Sequence, residues 1–219
     1  MITFIIPTLW KSNKIHETIE FFKSSDRRDI ELIVIDNSNS EFFDHDPRIN
    51  VIKFKENIFV NPAWNIGVSL AKNPFICLLN DDISLNVPCL LNQFEELIAT
   101  DPDFGMIGLY KHNFIIDSNN LATDKLEMIE LETRPFGFGC MMILKKANYL
   151  EIPSDLKIFY GDDLLWAYNK TVMKRKGYWL KGLKTPGQIS ATSSGFNIAG
   201  KQESPIYHAH LAKLLARNQ

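Results

Sequence analysis

Cysteine is scarce in this 219-residue chain: Cys77, Cys89 and Cys140 are all it has. The number is odd, no two share CxxC spacing, and each lies among apolar neighbours. They read as reduced core thiols of a cytoplasmic protein and not as a disulfide framework. Long apolar runs are missing as well. Nothing approaches 18 uninterrupted apolar residues, so no segment reads as a membrane span. The opening MITFIIPTL has no basic leader, its apolar run is short, and Pro7 interrupts it; it reads as a first strand, not a signal peptide. Glycine-rich phosphate loops are absent too. PTLWKSNK (7–14), after that strand, holds no glycine, and neither GxGxxG nor GxxxxGKS/T occurs. This argues against a P-loop kinase, a dinucleotide dehydrogenase or a nucleotidyltransferase. There is no internal repeat and no linker, so the chain reads as one domain.

What is present is an ordinary globular composition, 45% hydrophobic and 23% charged, with enough aromatic residues for a real core. The net charge of −2 is unevenly spread. Residues 1–169 carry 15 basic and 25 acidic side chains, whereas residues 170–219 carry 9 basic and 1 acidic. That asymmetry points either to an anionic partner near the C-terminal segment or to a solvated basic helix face.

Along the first hundred residues, strand-like and helix-like patterns alternate. ITFIIPT (2–8), ELIVIDNS (31–38), NVIKFKEN (50–57) and FICLL (75–79) read as strands. Between them, Ile15, Ile19 and Phe22 form a helical stripe over 13–25. Asn61-Pro62 opens a second helix, with Asn61 as N-cap and Trp64, Val68 and Ala71 on one face; Pro74 ends it. Asn86-x-Pro88 opens a third. This rhythm predicts an α/β fold with a mostly parallel sheet and helices on both faces. Further on, 105–112 and 138–146 read as strands and 158–170 as a loop entering a helix with Asp162 as N-cap. Residues 185–200 have the composition of a mobile loop, and YHAHLAKLLARNQ reads as a short basic amphipathic helix.

Ligands of such sheets bind beyond the carboxyl ends of the strands. Thr8, Asp36 and Asn80-Asp81-Asp82 therefore share one rim, contributed by three strands. Asx residues at strand ends are common turn formers, and hard divalent cations take oxygen ligands; spacing alone leaves both readings open. The pair Asp162-Asp163 likewise reads as a helix-start cap or as acid–base machinery. Trp166, one turn on, fits the floor of a pocket or the core.

FIIPTL (4–9), VIDNSNS (34–40), ENIFVNPAWNIGVSLAKNPFICLLNDD (56–82), FGFGCMMILKKANYL (136–150) and FYGDDLLWAY (159–168) decide among these readings by resemblance. Together they resemble the family 2 glycosyltransferases, inverting enzymes of the GT-A fold, and are similar to rhamnosyltransferase-like members. The resemblance implies that about 1–100 forms a nucleotide-binding half and about 101–219 an acceptor-binding half. It implies a nucleoside-diphosphate sugar donor of UDP or dTDP type and a divalent cation, Mn2+ or Mg2+. In this scheme Thr8, Asp36, Asn65, Asn80 and Asp81 hold the nucleotide and Asp82 the metal. Asp163 is the base, with Asp162 its neighbour. The acceptor is a hydroxyl, most readily of a carbohydrate; a nucleic acid is less favoured. The sequence departs from the family pattern twice. Asn80 stands where an acid is common, and TPGQISATSSG lacks the histidine that many members use as a further ligand. His208 and His210, in the basic C-terminal segment, are the candidates to replace it. A non-catalytic nucleotide-sugar- or glycan-binding module of the same fold, or a nucleotidyltransferase, is the alternative.

Overall fold

The computed structural model describes residues 1–115, 125–186 and 194–216. In chain order the elements are β1 (Ile2–Thr8), α1 (Lys14–Lys23), β2 (Ile30–Asp36), β3 (Ile49–Lys53), α2 (Val60–Leu70), β4 (Phe75–Leu79) and α3 (Val87–Thr100). They continue with β5 (Met106–Gly108), β6 (Phe114–Ile115), β7 (Glu127–Leu131), β8 (Met141–Lys145), α4 (Gly161–Ala167), β9 (Gly177–Lys181), β10 (Thr185–Pro186) and α5 (Ser194–Ala216).

Every residue of β1 and β2 is buried, because helices cover both faces of the sheet they centre. On one face Ile15, Ile19 and Phe22 of α1 and Leu90, Leu91 and Phe94 of α3 pack against Phe4, Ile6 and Leu32. On the other, Trp64 and Val68 of α2 and Leu164 and Leu165 of α4 pack against Ile5, Ile33 and Leu78. The strand order is β3-β2-β1-β4-β8-β5-β9-β7, with β6 and β10 forming a separate parallel pair. The first four strands are parallel, as the sequence predicts. The outer half is mixed, since β8 runs antiparallel to both β4 and β5, and β7 antiparallel to β9.

The chain order reverses between β1 and β4, and the crevice between their carboxyl ends is the switch point at which open α/β sheets bind ligands. Register puts Thr8 beside Asp36. The antiparallel pairing of β8 with β4 carries the Gly137–Cys140 turn alongside, and the Asn80 backbone N–H donates to the Cys140 carbonyl at 2.9 Å.

Several local expectations are corrected. Asn61 does not cap α2; Phe59 occupies that place in a left-handed conformation, φ 69°. Asn61 instead lies in the first turn, fully buried, its amide donating to the carbonyls of Leu156 (3.2 Å) and Phe159 (3.0 Å). The helix ends at Leu70, before Pro74. Asp162 does not cap α4 either: Tyr160 precedes that helix with φ 60°, and the Asp162 carboxylate turns to a distant arginine. By contrast, Asn86 caps α3 as expected, accepting from the Cys89 backbone N–H at 3.1 Å. The 105–112 strand shortens to β5, and 138–140 is a single tight turn before β8. Of the expected 185–200 loop, residues 187–193 lie outside the described residues and 194–200 open α5, a far longer helix than YHAHLAKLLARNQ predicts. Among the described residues no helix is long and apolar enough to cross a membrane.

Candidate active site

At the switch point, the Thr8 hydroxyl donates to Asp81 Oδ2 at 2.7 Å and accepts from the Trp10 backbone N–H at 2.8 Å. Burial raises the Asp81 carboxyl above its ordinary range, and the bonds from Thr8 and the Leu9 backbone only partly offset it. Asp36 is fully buried next to Thr8. Its Oδ1 accepts from the backbone and hydroxyl of Ser38 (2.9 and 2.8 Å), its Oδ2 from those of Ser40 (2.8 and 2.7 Å). Burial pushes the Asp36 carboxyl up, but these four bonds outweigh it and hold the group below its usual range. Asn65 is tied within the protein as well. Its amide donates to the Ile152 carbonyl at 2.8 Å, and its oxygen accepts from the Tyr149 hydroxyl at 2.6 Å and the Ile152 N–H at 3.0 Å.

Asn80, Asp81 and Asp82 open onto a cavity of about 650 Å³ that Asp162 and Asp163 also line. Val60 and Trp64 of α2, Phe136 from the segment after β7, Ile158 to Tyr160, and Lys201 and Ser204 of α5 complete it. The structure thus brings together the two carboxylate groups that the sequence singles out. Thr8, Asp36 and Asn65 stand behind this lining, Thr8 in contact through Asp81.

Arg134, which the sequence reading missed, joins the second pair. Its Nη1 donates to Asp162 Oδ2 at 2.7 Å, and its Nε and Nη2 reach Asp163 Oδ1 at 2.7 and 2.6 Å. Burial and the adjacent Asp162 charge raise the Asp163 carboxyl above its ordinary range, and Arg134 opposes them. The FGFG stretch shapes this wall: Gly137 takes φ 85°, and a side chain on Gly139 would overlap the Asp162 carboxylate. Nothing in the spacing of ETRPFGFG links Arg134 to acids some thirty residues on, so periodicity carries no signal for it.

Oxygen donors on one strand end suit a hard cation held by one or two carboxylates together with substrate phosphates, the usual arrangement for Mg2+. Asp82, with Asn80 and Asp81 beside it, fits that description. Among the described residues no three His, Cys, Asp or Glu side chains gather into a protein-only metal cage. His208 and His210 do not supply one: neither lines the cavity, His208 is exposed, and His210 Nε2 lies 2.9 Å from Asp155 Oδ1. Trp166 is not in the lining either. It packs edge-on against Phe138, ring centroids 5.1 Å apart, and over Gly177, so it belongs to the core.

Part of the basic C-terminal segment is paired within the fold. Lys176 and Lys181 meet Glu130 and Glu127 of β7, Lys170 meets Glu132 just beyond it, and Arg175 meets Asp103. Lys201, in the cavity lining, has no ion-pair partner among the described residues.

Solved structures share this architecture. Residues 1–349 of TarS from S. aureus superpose with a TM-score of 0.61 at 14% identity, covering 98% of this chain and 69% of that one. TarS has also been solved with UDP and with UDP-GlcNAc. The mannosyltransferase PcManGT from Pyrobaculum calidifontis, in complex with GDP-Man and Mn2+, gives 0.67 at 14% identity, over 97% of this chain and 64% of that one. GalNAc-T7 with UDP, GalNAc and Mn2+ gives 0.60 at 13% identity, over 85% and 43%. At such identities the likeness establishes the fold. No curated protein sequence matches the chain. The model of the family described as glycosyl transferase family 2 matches residues 3–153, which take in nearly all of β1, the strands from β2 to β8, the Asn80-Asp81-Asp82 rim and the Arg134 segment and stop short of Asp162-Asp163, and the chain belongs to that family.

Proposed function

We propose that this glycosyltransferase is a metal-dependent inverting enzyme that moves a sugar from a UDP- or dTDP-sugar to a hydroxyl acceptor, most readily of a carbohydrate. The observation that carries the reading is that Asn80-Asp81-Asp82 and Asp162-Asp163 line one cavity. Nucleotide ligands and Mn2+ in similarly folded proteins support it.

A nucleoside diphosphate leaves with negative charge, and a divalent cation at Asp82 would neutralise it as a Lewis acid. The protein's own part falls to the second acidic pair. Asp163 takes the acceptor hydroxyl proton, the acceptor oxygen bonds the anomeric carbon, and the bond from that carbon to the diphosphate oxygen breaks with its electron pair on the nucleotide. A single displacement of this kind inverts the anomeric centre. A carboxyl raised by burial and a like charge suits a general base better than an ordinary one. Thr8 orients Asp81, and the Asp36-pinned loop fixes the crevice beside β1.

Thermal unfolding with UDP, dTDP or GDP, each with Mn2+, Mg2+ or chelator, tests the reading. A nucleotide at 100 times its Kd stabilises by about 2.7 kcal/mol, a Tm rise of roughly 5–10 °C in a chain of this length. A rise with UDP or dTDP that chelator removes is the expected result; no rise with any nucleotide contradicts it.

A further inference from the structure

We infer that Arg134 is a positioning residue for the base, holding Asp163 by one carboxylate oxygen and leaving the other to receive the acceptor proton. The inference rests on the assignment of Asp163 proposed above. All contacts from the guanidinium to Asp163 converge on Oδ1, while Nη1 turns to Asp162 Oδ2. No described residue donates a hydrogen bond to Asp163 Oδ2, and Asp163 lines the cavity. The carboxylate is thereby fixed in orientation without both of its oxygens being occupied.

The planar fork matters as much as the charge. Asp162 and Asp163 are neighbours on the first turn of a seven-residue helix, only partly exposed, and the Asp162 charge adds to burial in raising the Asp163 carboxyl. A guanidinium spanning both opposes the rise of the Asp163 carboxyl and bridges the two side chains, a bidentate geometry that a lysine ammonium, a point charge, does not reproduce. The site shows further fitting to this bridge. Arg134 arrives from the segment between β7 and the FGFG turn, and Gly139 leaves room for the Asp162 carboxylate that the same arginine binds. Among the described residues, the charged and titratable groups facing Asp163 are Asp162 on its own helix, Arg134, and Tyr207 of α5. Among the described residues no other cation is ion-paired with either acid.

The test follows the Asp163 carboxyl carbon by 13C NMR in protein labelled at aspartate, assigned with Asp163→Asn, in wild type, Arg134→Gln and Arg134→Lys. Removing the guanidinium leaves burial and the Asp162 charge unopposed, so the Asp163 midpoint rises by about one pH unit or more in Arg134→Gln. In Arg134→Lys most of that rise is reversed. Release of UDP from UDP-glucose with Mn2+, water serving as acceptor, is followed in parallel against pH. Its acid limb moves up with the NMR midpoint in Arg134→Gln, and in Arg134→Lys the plateau rate stays about tenfold down, since geometry is lost while charge is kept. An Asp163 midpoint in Arg134→Gln that matches wild type overturns the inference, as does full plateau activity in Arg134→Lys. Nucleotide-induced stabilisation of wild type is read separately: its absence defeats the proposed function, whereas its presence with unmoved titration defeats only the role of Arg134.

Discussion

Asp36 shows how a polar side chain at a strand end organises the rim around it. With four donors from Ser38 and Ser40 on its two oxygens, it defines the loop beside Thr8. Its folded pKa is depressed, so its stabilisation is complete above the ordinary aspartate range near ~3.9 and is lost as pH falls through the lower folded value. Asp36→Asn replaces one acceptor by a donor facing Ser40 or Ser38 and is expected to cost about 1–3 kcal/mol at pH 7. Urea unfolding checks this: the gap to wild type is constant from pH 7 to 5 and narrows below about pH 4. Residue types at Thr8, Asp36 and Asn80 to Asp82 were legible because strand periodicity puts them on one rim. The hydrogen bonds that occupy Asn61 and Asn65 were not. Their partners, Leu156, Phe159, Tyr149 and Ile152, lie more than eighty residues away and follow no sequence period.

Among the elements, those buried on both faces were the readable ones. β1, β2 and β4 are nearly continuous apolar runs, and α1 and α3 carry plain helical stripes. β7 and β9 escaped notice because EMIEL at the sheet edge is mostly solvent-facing and GYWLK is short, while their pairing is held partly by cross-strand Lys–Glu contacts. α5 was only partly legible, since its opening SGFNIAG carries two glycines and no plain helical stripe. Its anchorage is Glu203, buried, whose carboxylate accepts from the backbone N–H groups of Ile158 (3.2 Å) and Phe159 (2.9 Å) in the cavity wall. Tyr207 stacks on Tyr160, and the Tyr160 hydroxyl donates to the Gly200 carbonyl. Glu203→Ala leaves two backbone donors without their acceptor and is expected to cost about 2 kcal/mol, lowering Tm by roughly 4–8 °C. Glu203→Gln, which keeps one acceptor oxygen, loses about half as much. Calorimetry of both variants measures the difference.

For the molecule as a whole, the sheet explains how acids far apart in the chain come to face one another. The strand reversal between β1 and β4 opens the crevice, and antiparallel β8 closes its far side with the FGFG turn, against which Arg134 and α4 assemble. The first of these was legible from the alternation of elements. The second was not, because Asp162-Asp163 reads equally as a helix start, and only its resemblance to a family motif distinguished it. Part of the charge asymmetry also has a molecular account, since Lys170, Lys176 and Lys181 pair with acids of β7 and of the residue that follows it. The central claim is a division of labour across one cavity. It is tested most directly by titration calorimetry of UDP in Mn2+, or of dTDP if that nucleotide stabilises more, with wild type, Asp82→Ala and Asp163→Asn, alongside donor turnover. Asp82→Ala is expected to bind at least about tenfold more weakly. Asp163→Asn is expected to bind as wild type does while turnover falls by about 10²–10⁴. Wild-type affinity in Asp82→Ala, or wild-type turnover in Asp163→Asn, would contradict it.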